Sequence, residues 1–479
     1  MVYDTLIRGA QILDGSGSAP RYADVAIKGH YIALITDGPT APANNTINAD
    51  GLCLAPGFID VHTHDDMNAI SAPDMLPKIS QGVTTVIVGN CGISASPVSL
   101  RAAPPDPLNL LGKFDDFIYP EFSDFAKAIE AARPSVNVGA LVGHTAIRSN
   151  HMDNLQRSAT ADEIAAMKLQ LRSALKQGAL GLSSGLAYGS ANCATTEEVM
   201  ALVEEVGRNG GVYTTHLRTE FDGILEAMNE AFATARHGKA SLVISHLKCA
   251  GAGNWGRSTA VLNHLDAAAN SQQVACDCYP YSASSSTLDL AQVTDKSDIF
   301  ITWSESHPEQ AGRLLKNIAE QWQLSLVETA KKLQPAGAVY HCMDEQDVRT
   351  ILRHERSMIG SDGLPNDPHP HPRLWGSFPR VIGHYCRDLG VLELPSAIHK
   401  MTGLSAEQFK LHKRGIIAEG NFADLVLFNP DTVRDTATYE NPKQIAKGIE
   451  KVWVNGCLSY IAGGAAQGRA GQFLYGNCV

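Results

Sequence analysis

The 479-residue chain lacks a Lys/Arg run longer than a pair, and its formal net charge is −11. Nucleic acid and anionic membranes are poor partners for such a surface. It lacks any apolar stretch approaching the roughly 18 residues that a membrane span needs. The N-terminal MVYDTLIRGAQILDGSG has no basic region followed by an apolar core, so no secretory leader is expected. There is no CxxC pair among the ten cysteines. Cys276 and Cys278, two apart, suit one face of a strand rather than a zinc knuckle. Nine of the ten, all but Cys91, are expected to be free thiols in a reducing cytoplasm. No segment has the bias of disorder: the composition is 44% hydrophobic and 19% charged, with 42 Gly and 23 Pro.

What is present divides into three textures. Residues up to about 57 form short strand-like runs broken by Gly, Asp, Pro and Asn, such as Asp24-Val25-Ala26-Ile27. The same texture returns after about 414, in Ala423-Asp424-Leu425-Val426-Leu427-Phe428, Val452-Trp453-Val454 and Gly471-Gln472-Phe473-Leu474. The two ends, 1–57 and 414–479, are expected to pair as one small β domain. Between them, over 58–413, short apolar runs alternate with helical patterns such as 161–176 and 196–208. Eight candidate strands are read at 58–64, 83–91, 136–144, 179–185, 211–216, 242–246, 274–279 and 357–362. Eight strands alternating with helices predict an α/β fold, a (β/α)8 TIM barrel. Residues 280–348 are too long for an ordinary crossover and predict an inserted lid-like subdomain, with helices near 309–321 and 324–332.

In a (β/α)8 barrel the site lies at the C-terminal strand ends. Here those ends read His62 and His64, Cys91, His144, Gly185, His216, His246, Tyr279 and Asp362. Five of the chain's 17 histidines fall there. Residues two apart on a strand point the same way, so His62 and His64 face one side together. Singly, each His reads equally well as a satisfied core side chain, and Cys91 as a buried thiol. Jointly, Cys91, His216 and His246 supply three borderline-soft zinc ligands and leave a position for water. Asp362, before Gly363, is either a turn former or the general base beside that water.

Together these residues carry a resemblance to the amidohydrolase superfamily, and within it to the D-aminoacylase (N-acyl-D-amino-acid deacylase) group. The resemblance runs from Ile12-Leu13-Asp14-Gly15-Ser16-Gly17 through Gly89-Asn90-Cys91-Gly92, Val142-Gly143-His144-Thr145 and Leu182-Ser183-Ser184-Gly185. It continues in Thr215-His216-Leu217-Arg218, Ser245-His246-Leu247-Lys248, Ser361-Asp362-Gly363 and Gly420-Asn421-Phe422-Ala423-Asp424. It implies a barrel with a small β-sandwich built from both termini. It implies Zn2+ held tightly by Cys91, His216 and His246, with His62, His64 and Asp362 at a second, weaker position. Many superfamily members bridge two metals with a carboxylated Lys at the end of strand four. The 179–185 run has no Lys, which speaks against hydantoinase-like and dihydroorotase-like activities.

The resemblance further implies that Arg373, Lys248, Tyr279 and Ser285 meet the substrate carboxylate, and that Tyr188 and Asp362 serve catalysis. The expected substrate is a small N-acyl-D-amino acid, with no nucleic acid or membrane partner and a monomeric or small homo-oligomeric state. Residues 281–299 offer Leu288 and Leu290 and only Lys296 as a cation, so a neutral, hydrophobic side chain is expected. The alternatives are an N-acyl-D-glutamate or D-aspartate deacylase, a dipeptidase acting before a D-residue, and a non-catalytic binding relative. Retention of Cys91, His216, His246 and Asp362 opposes the last.

Overall fold

A computed structural model describes residues 2–38 and 42–476. Cys478, one of the expected free thiols, and the last residues of the expected 414–479 unit lie outside the described residues.

Eight parallel strands organise the middle of the chain. They are Phe58–Asp60, Val83–Val88, Asn137–Ala140 continued by Val142–Gly143, Gly181–Gly185, Val212–His216, Ser241–Ile244, Val274–Cys278 and Ser357–Ile359. Each pairs in parallel with the next in sequence, the change from the third to the fourth passing through Val142–Gly143. The eighth returns to the first. Thr63 and Gly363 form a parallel bridge, Asp362 N donates to His62 O at 2.7 Å, and His64 N donates to Gly363 O at 3.0 Å. The strands are buried on both faces, as expected where helices cover them. Period-two alternation divides their side chains. Ile59, Ile87, Leu141, Leu180, Val212, Val243, Ala275 and Met358 gather into one cluster closed below by Phe409 and Leu411. Phe58, Val86, Val138, Leu242 and Cys276 belong to the larger core against the helices.

The helical crossovers at Ala161–Lys176 and Thr196–Arg208 have the bounds read from the sequence. The first opens on a capping box, Thr160 with Glu163, which fixes its start. The chain ends also pair. Cys53–Pro56 lies antiparallel to Leu425–Phe428, joining five N-terminal and three C-terminal strands in one eight-stranded sheet. Leu425, Leu427, Trp453, Val25 and Ile7 fill its core.

One expectation is corrected and one is extended. Gly471–Leu474 does not join the terminal sheet: Phe473 bridges to Val138 of the third parallel strand and packs edge-on to Phe122 and Phe125. The polar third-strand residue Asn137, which accepts from Gln472 N at 3.1 Å, gives this segment its partner. The 280–348 insertion is not only helical. An antiparallel sheet of Ser284–Thr287, Ala336–Tyr340, Ile299–Ser304 and Arg313–Leu314 organises it, with Leu315–Trp322 and Leu326–Leu333 as its helices. The wholly polar strand Ser284–Thr287 offers no apolar alternation to read.

Candidate metal centre and active site

The turns after the parallel strands carry the candidate ligands. Three of them, Cys91 (φ 53°), His246 (φ 36°) and Asp362 (φ 48°), adopt left-handed backbone conformations. Such strain in non-glycine residues persists where surrounding structure enforces it, and it clusters at functional sites. Close approach helps enforce it: a Cβ on Gly185 would lie 2.2 Å from the Cys91 carbonyl oxygen.

The side chains converge in two groups sharing one atom. One ligand atom each from His62, His64, Cys91 and Asp362 lies within 4.8 Å of the others, as do those of Cys91, His216 and His246. Cys91 Sγ is 3.2 Å from His62 Nε2 and 3.3 Å from His246 Nε2. Asp362 Oδ1 is 3.2 Å from His64 Nε2 and 3.5 Å from His62 Nε2. All but the half-buried His216 are buried.

Further side chains orient these ligands, a common arrangement at metal sites. Asp277 faces His62 Nδ1 at 3.2 Å and accepts from His246 N at 2.9 Å. Glu220 faces His246 Nδ1 at 2.9 Å and Lys248 Nζ at 2.6 Å. Sequence reasoning missed both. The available signals were a lone carboxylate within the apolar Val274–Cys278 strand, and a Glu four residues after His216.

The electrostatics favour a bound cation. Burial opposes ionisation of the Cys91 thiol, yet the imidazoles of His62, His246 and His216 draw its pKa well below the usual thiol value. Burial likewise opposes the Asp362 charge, but Arg373, His62 and His64 hold its carboxyl well below the ordinary range. Against the cost of burial, Asp362 and Cys91 hold His64 at about 9, while Cys91 and Glu220 hold His246 at about 9. Thiolate and carboxylate thus gather positive charge around them, and a thiolate–imidazole set is what zinc takes. His64 Nδ1 and His216 Nδ1 are buried without a hydrogen-bond partner. The residues fit a divalent soft-to-borderline cation.

A cavity of about 800 Å³ opens over this cluster. His64, His216, His246 and Asp362 line it, together with the predicted Tyr188, Lys248, Tyr279 and Ser285. The Tyr279 hydroxyl and Ser285 Oγ are buried without a hydrogen-bond partner. Arg373 does not line the cavity. It stands behind it, with Nη1 2.8 Å from Asp362 Oδ2 and Nη2 donating to Ser285 O at 3.0 Å. The Asp362 contact is a charge contact without hydrogen-bond alignment. His144, grouped with the strand ends by sequence, is elsewhere: its Nε2 faces Glu198 at 2.9 Å, where Arg148 also pairs.

Residues 45–460 match the profile described as the amidohydrolase family. The D-aminoacylase of Alcaligenes xylosoxydans xylosoxydans is 46% identical, the match covering 95% of this chain and 94% of that protein. The N-acyl-D-aspartate deacylase of the same organism is 45% identical over 98% of this chain and 95% of its own length. Among solved structures, the N-acyl-D-glutamate deacylase of Bordetella bronchiseptica, complexed with zinc and a phosphonate mimic of the tetrahedral intermediate, aligns with a TM-score of 0.95. It is 42% identical, covering 99% of this chain and 100% of that one. Its convergent His/Cys/Asp centre and these matches over nearly its whole length identify the chain as a member of the amidohydrolase family, in the group of D-aminoacylases, and as a metal-dependent hydrolase.

Proposed function

We propose that the chain hydrolyses the amide bond of N-acyl-D-amino acids, releasing a D-amino acid and a carboxylate, on a zinc centre at the mouth of a (β/α)8 barrel. The observation that carries this reading is the single buried Cys91 sulfur shared by two ligand groups whose His64, His216, His246 and Asp362 line the cavity. The fold reading takes the eight parallel strands as the barrel over 58–413, the terminal strands as a small β-sandwich from 1–57 and 414–479, and 280–348 as its lid. The cluster drawing a side chain from each parallel strand, or from the residue flanking it, supports the barrel.

Cys91, His216 and His246 would hold zinc most firmly, with His62, His64 and Asp362 completing a second position around the same sulfur. Bound zinc supplies Lewis acidity, polarising the amide carbonyl and easing deprotonation of water. Asp362, ionised at neutral pH, accepts the proton of the attacking water on a carboxylate oxygen and passes it to the leaving nitrogen. Tyr188, its phenol held protonated by burial, donates to the oxyanion of the tetrahedral intermediate. Lys248, Tyr279 and Ser285 receive the substrate carboxylate, with Arg373 adding positive charge from behind.

The substrate side chain is neutral. The outer cavity wall presents Asp106 and Asp289 beside Leu110, Leu288 and Leu364. Of the lining cations, Lys248 serves the substrate carboxylate and Arg218 is paired with Glu230, and the exposed Lys296 does not reach the cavity. An acidic side chain would meet like charge there. A cytoplasmic setting is part of the reading, supported by nine unpaired cysteines among the described residues. Among those residues, no helix is long and apolar enough to cross a membrane.

A panel of N-acetyl-D-Met, D-Leu, D-Glu and D-Asp, with the L-enantiomers, tests the reading. Turnover of D-Met and D-Leu should lead. Faster turnover of the acidic pair overturns the preference, and turnover of none overturns the reaction. Asp362→Asn should keep zinc at Cys91, His216 and His246 while kcat falls roughly 10²–10⁴-fold. Near-normal turnover in that variant removes Asp362 from its role.

A further inference from the structure

A buried cation lies beneath the candidate centre, on the side away from the cavity. Lys78, on the short helix Leu76–Ile79, is fully buried. Its Nζ donates to Asp60 Oδ2, Thr63 Oγ1 and Ser361 Oγ, each at 2.8 Å, and lies 3.1 Å from Asp65 Oδ2. These partners come from two segments only. Asp60, Thr63 and Asp65 alternate with or flank His62 and His64, and Ser361 precedes Asp362. Beyond the strand end at Asp60, His62 and His64 join the ligand cluster, while Thr63 between them accepts from Lys78. The other Asp60 oxygen accepts from Ser361 N at 2.8 Å and from His62 N at 3.3 Å. The two segments are thus stitched by the bridge between Thr63 and Gly363 and by one shared ammonium.

The Cys91, His216 and His246 group has no contact with this ammonium. Its supports are Asp277, Glu220 and Lys248. Asp277 is common to both groups, facing His62 Nδ1 as well as His246 N, whereas Lys78 contacts only chain neighbours of His62, His64 and Asp362.

We propose that Lys78 is a positioning residue that sets the spacing between the His62/His64 segment and Asp362, and so governs filling of the second metal position. This rests on the zinc reading above. An ammonium suits the task, since three donors on one atom can hold acceptors from two segments at fixed distances. Supports of this kind typically change metal affinity 10–100-fold.

Zinc titration of the metal-free full chain against a chelating dye tests the inference, with near-UV circular dichroism and thermal melting to verify folding. Wild type should bind two equivalents. Lys78→Met, and more mildly Ser361→Ala, should bind the first equivalent as wild type does and the second at least tenfold more weakly. A folded Lys78→Met that keeps wild-type affinity for the second equivalent overturns the inference. So does equal weakening of both equivalents, which marks a general structural role. If Lys78→Met does not fold, Ser361→Ala and Thr63→Val decide by the same comparison. A wild type that binds one equivalent and hydrolyses substrate overturns this inference alone. A wild type that neither binds zinc nor hydrolyses overturns the hydrolase reading and this inference with it.

Discussion

At the scale of single residues, Cys91 has no substitute. Its sulfur belongs to both candidate ligand groups, so on the proposed zinc reading its removal breaks both at once. Cys91→Ala should reduce bound zinc to near zero by elemental analysis, whereas His64→Ala should spare the firmer equivalent. Zinc retained in full by Cys91→Ala would show that the imidazoles suffice. Much of this set was legible in the sequence because ligand chemistry is local: His62, His64, Cys91, His216, His246 and Asp362 each end a readable apolar run. Lys78 was not legible. Nothing in Leu76-Pro77-Lys78-Ile79 separates a buried lysine from a solvated one, and its partners lie as far off as Ser361. His144, which the sequence placed at a strand end without a role, marks the complementary limit. Position at a strand end says nothing of Glu198, 54 residues away, which satisfies it.

The elements show how close approach and buried charge are managed. Gly185 ends the fourth parallel strand against the Cys91 carbonyl, so Gly185→Ala should displace the Cys91 turn. A loss of about 1–3 kcal/mol in unfolding free energy is expected, with weaker zinc binding. An unchanged denaturation midpoint and zinc affinity would contradict this. The Thr196–Arg208 helix carries Glu198 into the Arg148 and His144 pair. Although burial opposes it, His144 and then Arg148 hold the Glu198 carboxyl at about 2. The folded value lies below the unfolded one of about 4.5. Its stabilisation is therefore complete above about pH 4.5 and is lost as pH falls towards 2, up to about 3 kcal/mol. Glu198→Gln should flatten that part of the stability–pH curve, measured by urea unfolding from pH 5 to 2.5; a curve parallel to wild type would refute it. Helix bounds were legible where a capping box announced them, as at Thr160. The insertion's sheet was not, because Ser284–Thr287 gains its strand character from pairing with Ala336–Tyr340, some fifty residues later in the chain.

Across the whole molecule, the terminal sheet and the parallel strands are held by a buried polar joint. Asp424 accepts from Asn137 Nδ2 at 3.2 Å and from Asn455 N at 2.7 Å, and it pairs with Arg414. Beyond this joint the C-terminal segment sets Phe473 against Phe122 and Phe125. Phe473→Ala should cost about 3–5 kcal/mol and lower the melting temperature of the whole chain in one transition. A separate early transition confined to the terminal sheet would show that the two parts unfold independently.

The cavity wall has one further consequence. Ser284 to Leu288, Asp289, Trp303, Ala336, Tyr340 and Cys342 all come from the inserted segment, whereas every candidate ligand comes from the parallel-strand ends. Much of the wall is thus written apart from the candidate ligands, with Asp106, Leu110 and Leu364 added from other loops. Rewriting the one contiguous inserted passage can therefore reshape a large share of the wall while leaving the ligand cluster as inherited.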